Sequence, residues 1–230
     1  MLKTPQILKD LLNNFEDSFV ISDTHFDHDK IFRFEPIRAD WLKENDLEVN
    51  IENHNELLIK AWNMTVKPDD IVIHLGDFSW KSPQKFVNRL NGRKILILGN
   101  HDRKGEQVYK DFEYVVRGYQ DLSKGFLQVT ESDDRLFSCL QVDNIIFSHY
   151  PIKTEEIEGN RRKESLIKIN ERIDALKVIR GKISCLTVLN IHGHLHSKCA
   201  ENKWFLHYKN VSCENIGFKP IKVGDILKEN

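Results

Sequence analysis

The residues of this chain that could do chemistry gather in five short blocks: Asp23-Thr24-His25, Gly76-Asp77, Gly99-Asn100-His101-Asp102, His149, and Gly193-His194-Leu195-His196. Asp23 offers a carboxylate oxygen and His25 an imidazole nitrogen, the ligand types that a borderline divalent metal accepts. In extended chain, side chains at i and i+2 point the same way, so Asp23 and His25 are expected to converge while Thr24 faces elsewhere. The same spacing puts His194 and His196 together and turns Leu195 into the core. Gly76-Asp77 and Gly99-Asn100 add oxygen ligands, with Gly99 letting the backbone turn where a side chain would obstruct it. Taken singly, Asp-x-His reads as a capped turn, and Gly-Asn-His-Asp as a strand-to-loop turn with Asn in a left-handed position. The repetition makes the chemical reading the stronger one.

The five blocks need elements to deliver them, and each follows an apolar run. Residues 18–22, 71–75, 95–98, 144–148 and 185–191 read as buried strands of an α/β sheet, which present chemistry at their carboxyl ends. Thr4-Pro5 before Ile7, Leu8, Leu11 and Leu12 predicts a capped amphipathic helix. Ile51, Leu57, Leu58, Ala61 and Trp62 predict a helix over the sheet, with His54 facing solvent. Ser82-Pro83 starts a helix to about Leu90, ended by Asn91-Gly92, and strand, helix, strand favours parallel neighbours. After Asp102 the extended pieces 112–116, 125–130, 135–140, 203–208, 211–213 and 220–223 predict a second, more antiparallel sheet. Leu166, Ile169, Ile173, Leu176 and Ile179 trace one helical face in a strongly charged segment. His74 and His192 sit inside apolar runs and read as core histidines, and His207 as structural.

With 40% hydrophobic and 30% charged residues among 230, the chain reads as one globular domain, 1–230. No run approaches the length of a membrane span, and charges near the start break up any signal-peptide core, so a cytoplasmic protein is expected. A net charge of -1 gives no global attraction to nucleic acid. Cys139, Cys185, Cys199 and Cys213 lack metal or disulfide spacing and read as reduced, mostly buried thiols.

In order and residue type, the five blocks resemble the calcineurin-like metallophosphoesterase family, whose pattern is Asp-x-His, Gly-Asp, Gly-Asn-His-Asp or Glu, a later His, and Gly-His-x-His. All five are present between Asp23 and His196. Leu75-Gly76-Asp77-Phe78 and Asn91-Gly92-Arg93-Lys94-Ile95 look most like its small single-domain bacterial and phage branch. The resemblance implies an α/β (α+β) four-layer αββα sandwich, two mixed sheets flanked by helices, with a dinuclear metal site at the strand ends. Asp23, His25, Asp77 and His196 would hold one ion, and Asp77, Asn100, His149 and His194 the other. Asp77 would bridge, since an Asp carboxylate can span ions about 3.5 to 4 Å apart. Nitrogen and oxygen ligands without thiolate leave Mn, Fe, Zn, Co or Ni as candidates and disfavour Ca; ligand type does not choose among them, and Mn is the expected ion.

These residues read as a phosphoric ester hydrolase in which a water between the ions attacks phosphorus. His101 is expected to protonate the leaving oxygen, and Asp102 to hold its ring in the needed tautomer. An intact His101 serves a poor alkoxide leaving group, which favours a phosphodiesterase acting on a nucleotide or other small phosphodiester. The alternatives are a phosphomonoesterase, then a nuclease, then a binding scaffold that has lost its ions. Asn100, His28, Arg161 and Arg162 are candidate substrate contacts. Nucleic acid is a less favoured partner, because no basic and aromatic groove is legible.

Overall fold

Every residue of β1 (Phe19–Ile21) and β2 (Ile71–His74) is buried, as is all of β3 (Arg93–Ile97) after its first residue. Strands covered on both faces need such continuous apolar runs, which is why these three stood out in the sequence. The computed structural model describes residues 4–102, 106–130, 138–152, 188–197 and 206–229. In chain order the remaining strands are β4 (Tyr114–Val116), β5 (Tyr119–Asp121), β6 (Gln128–Thr130), β7 (Cys139–Val142), β8 (Ile145–Ser148), β9 (Val188–His192), β10 (Leu206–Asn210) and β11 (Ile221–Lys222). They form two mixed sheets. The first runs β11-β1-β2-β3-β4, parallel except for β11, and the second runs β10-β9-β8-β7-β5-β6.

The helices are α1 (Gln6–Asn13), α2 (Ile31–Phe34), α3 (Ile37–Glu44), α4 (Ile51–Thr65), α5 (Gln84–Val87) and α6 (Val223–Lys228). α1 buries Ile7, Leu8 and Leu11. The N-cap position of α1 is Pro5, with no side-chain cap, and the Thr4 hydroxyl instead accepts from Leu127 N at 3.1 Å. α4 is capped as such helices usually are, by the Asn50 side chain accepting from Asn53 N. One apolar cluster joins both sheets: Val20, Ile73, Leu96, Leu140, Phe147 and Ile191 all belong to it.

Several expectations are corrected. The second sheet is not mainly antiparallel: β10 with β9, β9 with β8, and β7 with β5 are parallel pairs. Parallel neighbours need a crossover of a dozen or more residues, which the connection from Ser148 to Val188 exceeds. Residues 112–116 and 220–223 contribute β4 and β11 to the first sheet, and 211–213 leads into a short 3₁₀ turn, Cys213–Asn215. Short runs reveal that a strand exists, not which edge it joins. Strand β5 and helix α6 were not anticipated, and α5 covers only Gln84–Val87. His54 is wholly buried rather than solvent-facing, because α2 and α3 fold over α4 and set Phe32 and Trp41 edge-on against its ring. The helical face at 166–179 lies outside the described residues, as do Arg161, Arg162, Cys185 and Cys199.

Candidate metal centre

The loops after β1, β2 and β9 carry the candidate ligands, and their backbone is unusual. Asp23, His25, Asp77, His194 and His196 all have φ between 49° and 66°. Left-handed backbone costs a non-glycine residue about 1 to 2 kcal/mol, so several in one site mark a place where function outweighs local preference. The extended-chain argument for the two x-spaced pairs is therefore replaced by tight left-handed turns. Asp23 and His25 still meet, with Asp23 Oδ1 3.8 Å from His25 Nε2. His194 and His196 do not stay together. His196 stacks on His25, ring centroids 5.0 Å apart, whereas the His194 ring lies against Tyr150 at 4.2 Å and His149 at 5.1 Å. Leu195 is half-buried, not a core residue.

Two glycines make room. A Cβ on Gly99 would overlap Asp77 Oδ1 and come within 2.9 Å of His149 Cε1, and one on Gly193 would overlap Ser22 Oγ and Asp23 Oδ2. The expectation for Gly99 holds for this reason of space.

Two groups of atoms have the spacing of ligands around an ion. Asp23, His25 and His196 place one nitrogen or oxygen each within 4.8 Å of one another, and so do Asp23, Asp77 and His149. Asp23 Oδ1 is 3.7 Å from His196 Nε2, and Asp77 Oδ2 is 3.7 Å from His25 Nε2 and 3.6 Å from His149 Nε2. These are too long for hydrogen bonds. Two ligands each about 2.0 to 2.2 Å from one ion stand roughly 3 to 4 Å apart. Asp23 Oδ1 and His25 Nε2 are buried and accept or donate no hydrogen bond among the described residues. Asn100 Oδ1 sits 2.9 Å from His149 Nε2, while His149 Nδ1 donates to Leu75 O at 2.8 Å. With its proton committed to Leu75, His149 turns a lone pair toward Asn100 Oδ1, as two ligands of one cation would be arranged. Asp23 borders both groups, so it joins Asp77 between them.

The electrostatics agree. Burial pushes the Asp23 carboxyl up, but His149, His196 and His25 outweigh it and hold Asp23 below the usual range. Asp77 is driven well above that range by burial, then by the charges of Asp23 and Asp102. Two carboxylates close together in one dry site, the ionised form of one disfavoured by burial and by its neighbour, are what a divalent cation relieves.

Asp102 is wholly buried, and its carboxylate accepts from the turns around it. Oδ2 accepts from Asp77 N at 2.9 Å and Gly99 N at 2.7 Å; Oδ1 accepts from Phe78 N at 3.1 Å and the Tyr109 hydroxyl. It staples the loops after β2 and β3 to each other. His101 is exposed, and its backbone N–H donates to Asp77 Oδ1 at 2.8 Å. Its ring lies 5.7 Å from His25 and 4.7 Å from Trp80. His28 is buried beside His25, ring centroids 5.3 Å apart. His74 is the core histidine expected: Gly76 N donates to its Nδ1, and its Nε2 faces Thr24 Oγ1 at 3.0 Å. His192 is wholly buried, its Nδ1 2.8 Å from Gly193 O, and His207 is exposed on β10.

Sequence reasoning missed Arg38 and Glu214. Arg38 is wholly buried and bonds Glu214 Oε1, Thr24 O and Asp23 O, while Glu214 Oε1 lies 3.1 Å from His196 Nδ1. An Arg between Ile37 and Ala39 in a polar helix carries no sign that its partner is 176 residues away. Trp80, three residues after Asp77, did leave a signal: a large aromatic in the loop that carries a ligand.

The chain is similar to known proteins in sequence and in fold. The description calcineurin-like phosphoesterase belongs to the family profile that matches residues 19–211. An uncharacterized protein of Methanocaldococcus jannaschii is 36% identical over 219 residues, covering 91% of this chain and 89% of that one. The Gene 66 protein of Mycobacterium phage L5 is 26% identical over 192 residues, 79% of this chain and 78% of its own. Among solved structures, a protein of unknown function from Aquifex aeolicus superposes with a TM-score of 0.61 at 27% identity, covering 93% of this chain and 98% of that one.

Proposed function

This chain belongs to the calcineurin-like phosphoesterase family, metal-dependent hydrolases of phosphoric esters, and on that premise we propose that it cleaves a small phosphodiester, such as a nucleotide derivative. The observation that carries the reading is His101. It is an exposed imidazole tied by its own backbone N–H to Asp77, at the rim of the ligand cluster. A group so placed can protonate an alkoxide leaving oxygen, which a diester with a poor leaving group requires.

In this reading Asp23, His25, Asp77 and His196 hold one divalent ion, and Asp77, Asn100, His149 and His194 the other. Mn leads, with Fe, Zn, Co or Ni as alternatives. Bound there, the ions supply an acidified water and charge neutralisation at the phosphoryl oxygens. The chain supplies the rest. Glu214 beside His196 Nδ1 and Leu75 O beside His149 Nδ1 direct both Nε2 atoms into the site. Asp102 keeps the Asp77 and Gly99 turns in register. Asn100 contributes a side-chain oxygen at the same place and is also positioned to touch the substrate.

The test is hydrolysis of bis-p-nitrophenyl phosphate beside p-nitrophenyl phosphate, with Mn added or EDTA present, for wild type and Asp77→Asn. The expected result is EDTA-sensitive diester cleavage that disappears in the variant. A clear preference for the monoester would replace the diesterase by a phosphatase.

A further inference from the structure

Beside the ligand cluster stands an aromatic wall that the hydrolysis of a phosphate does not itself require. The His28 and Trp80 rings are parallel, 7° apart with centroids at 4.1 Å, and Phe34 lies 6.0 Å from His28. Trp80 is 39% exposed and Phe34 60%, a large apolar area to leave in water. The wall is held rigidly. Trp80 N donates to Phe26 O at 2.8 Å, Phe26 N donates to Phe78 O at 3.0 Å, and Lys81 pairs with Asp29 at 2.9 Å across the same two loops. His28 itself is only 7% exposed, and its Nδ1 makes no hydrogen bond among the described residues. A buried polar atom left without a partner is costly unless a ligand completes it.

The wall continues into the metal centre. His28 touches His25, and Trp80 touches His101, which in turn lies against His25. A group resting on this wall is therefore one attached to the phosphorus held by the ligands. His28 covers one face of the Trp80 ring and backs it, so a flat base would rest on the exposed surface of Trp80 and Phe34, and a sugar between ring and phosphate spans the step from there to the site. We infer that Phe34, Trp80 and His28 form a subsite for the aromatic base of a mononucleotide ester, so that the substrate is selected by stacking as well as by its phosphate. The inference rests on the phosphodiester reading above and gives it a substrate class. On the Trp80 side of the wall, Lys81 and Lys85 are engaged by Asp29 and Asp27, so the ring surface there, not a free cation, is what is offered to a ligand.

The experiment titrates the Mn-loaded protein calorimetrically with adenosine 5′-monophosphate and with ribose 5-phosphate, for wild type, Trp80→Ala, Trp80→Phe and Phe34→Ala. Stacking of one base is expected to make wild type prefer the nucleotide by roughly tenfold or more. Trp80→Ala should erase most of that preference and leave ribose 5-phosphate affinity within about twofold, since the control ligand tests only the phosphate end. Trp80→Phe should restore the preference, and Phe34→Ala, at the most exposed position, should reduce it in a variant whose folding is undisturbed. Equal affinity of wild type for the two ligands, no binding of the nucleotide, or equal weakening of both by Trp80→Ala would overturn the inference. The two readings fail separately. Diester cleavage without base preference sinks the subsite alone, and base preference without diester cleavage sinks the diesterase alone.

Discussion

Glu214 Oε1 stands 3.1 Å from His196 Nδ1, and the carboxylate is itself gripped by Arg38 at 2.6 Å, both of that pair's side chains wholly inside the protein. Arg38 also ties down the carbonyls of Asp23 and Thr24, so one buried network shapes two of the strained loops that carry candidate ligands. Burial pushes the Glu214 carboxyl up, yet Arg38 and His196 outweigh it and keep it ionised at neutral pH.

Breaking this network should be felt twice. Glu214→Ala removes the acceptor that orients His196, and metal affinity should fall by about 10- to 100-fold in a calorimetric Mn titration. Arg38→Met leaves Glu214 buried without its cation, and denaturant unfolding should register a loss of about 3 to 5 kcal/mol. Unchanged affinity in the first variant would mean that His196 is oriented by its loop alone.

Gly99→Ala tests the space beside Asp77. Gly99 does not adopt a left-handed φ, so any loss comes from the Cβ overlapping Asp77 Oδ1. Metal content after dialysis should drop severalfold while the circular dichroism spectrum stays native. Gly217→Ala is the contrasting case, at φ +66° with nothing near its Cβ. It should lose about 1 kcal/mol to backbone strain and bind metal as wild type does.

His101→Asn separates proton transfer from metal binding. Turnover of a diester with an alkyl leaving group should fall by about 10² to 10⁴, and the loss should shrink when p-nitrophenolate, which needs no proton, departs. Metal occupancy by elemental analysis should persist. Ions lost along with activity would reassign His101 to holding the site together.

The described thiols should be silent. Burial pushes Cys139 up to about 12, and burial with the charges of Glu214 and Asp23 outweighs Arg38 to raise Cys213, so at pH 8 neither has an appreciable thiolate, and neither is accessible. Iodoacetamide followed by mass spectrometry should label both only after unfolding. Rapid native labelling of Cys139 would show that the pairing between β5 and β7, inside the second sheet, opens.

Much of this protein was legible in its residues. Continuous apolar runs end in Asp23, Asp77, Gly99-Asn100, His149 and Gly193-His194, and burial on both faces is a property that composition alone reveals. Local requirements were readable too: Gly99 for lack of space, and His74 and His192 as core residues inside apolar strands. The fold decided whatever depends on partners distant in the chain. His54 and Arg38 look like solvated helix residues until α2 and α3 close over α4. Residues 112–116 and 220–223 are plainly extended, yet only pairing with β3 and β1 assigns them to the first sheet. Spacing promised that His194 and His196 would point together, but left-handed turns send them to opposite sides of the site, because ligands are positioned by the loops' closure against Asp23 and Asp77 and not by the strand period. A sequence carries the chemistry and the burial of each segment; convergence of residues as distant as Arg38 and Glu214, 176 positions apart, is a property of packing.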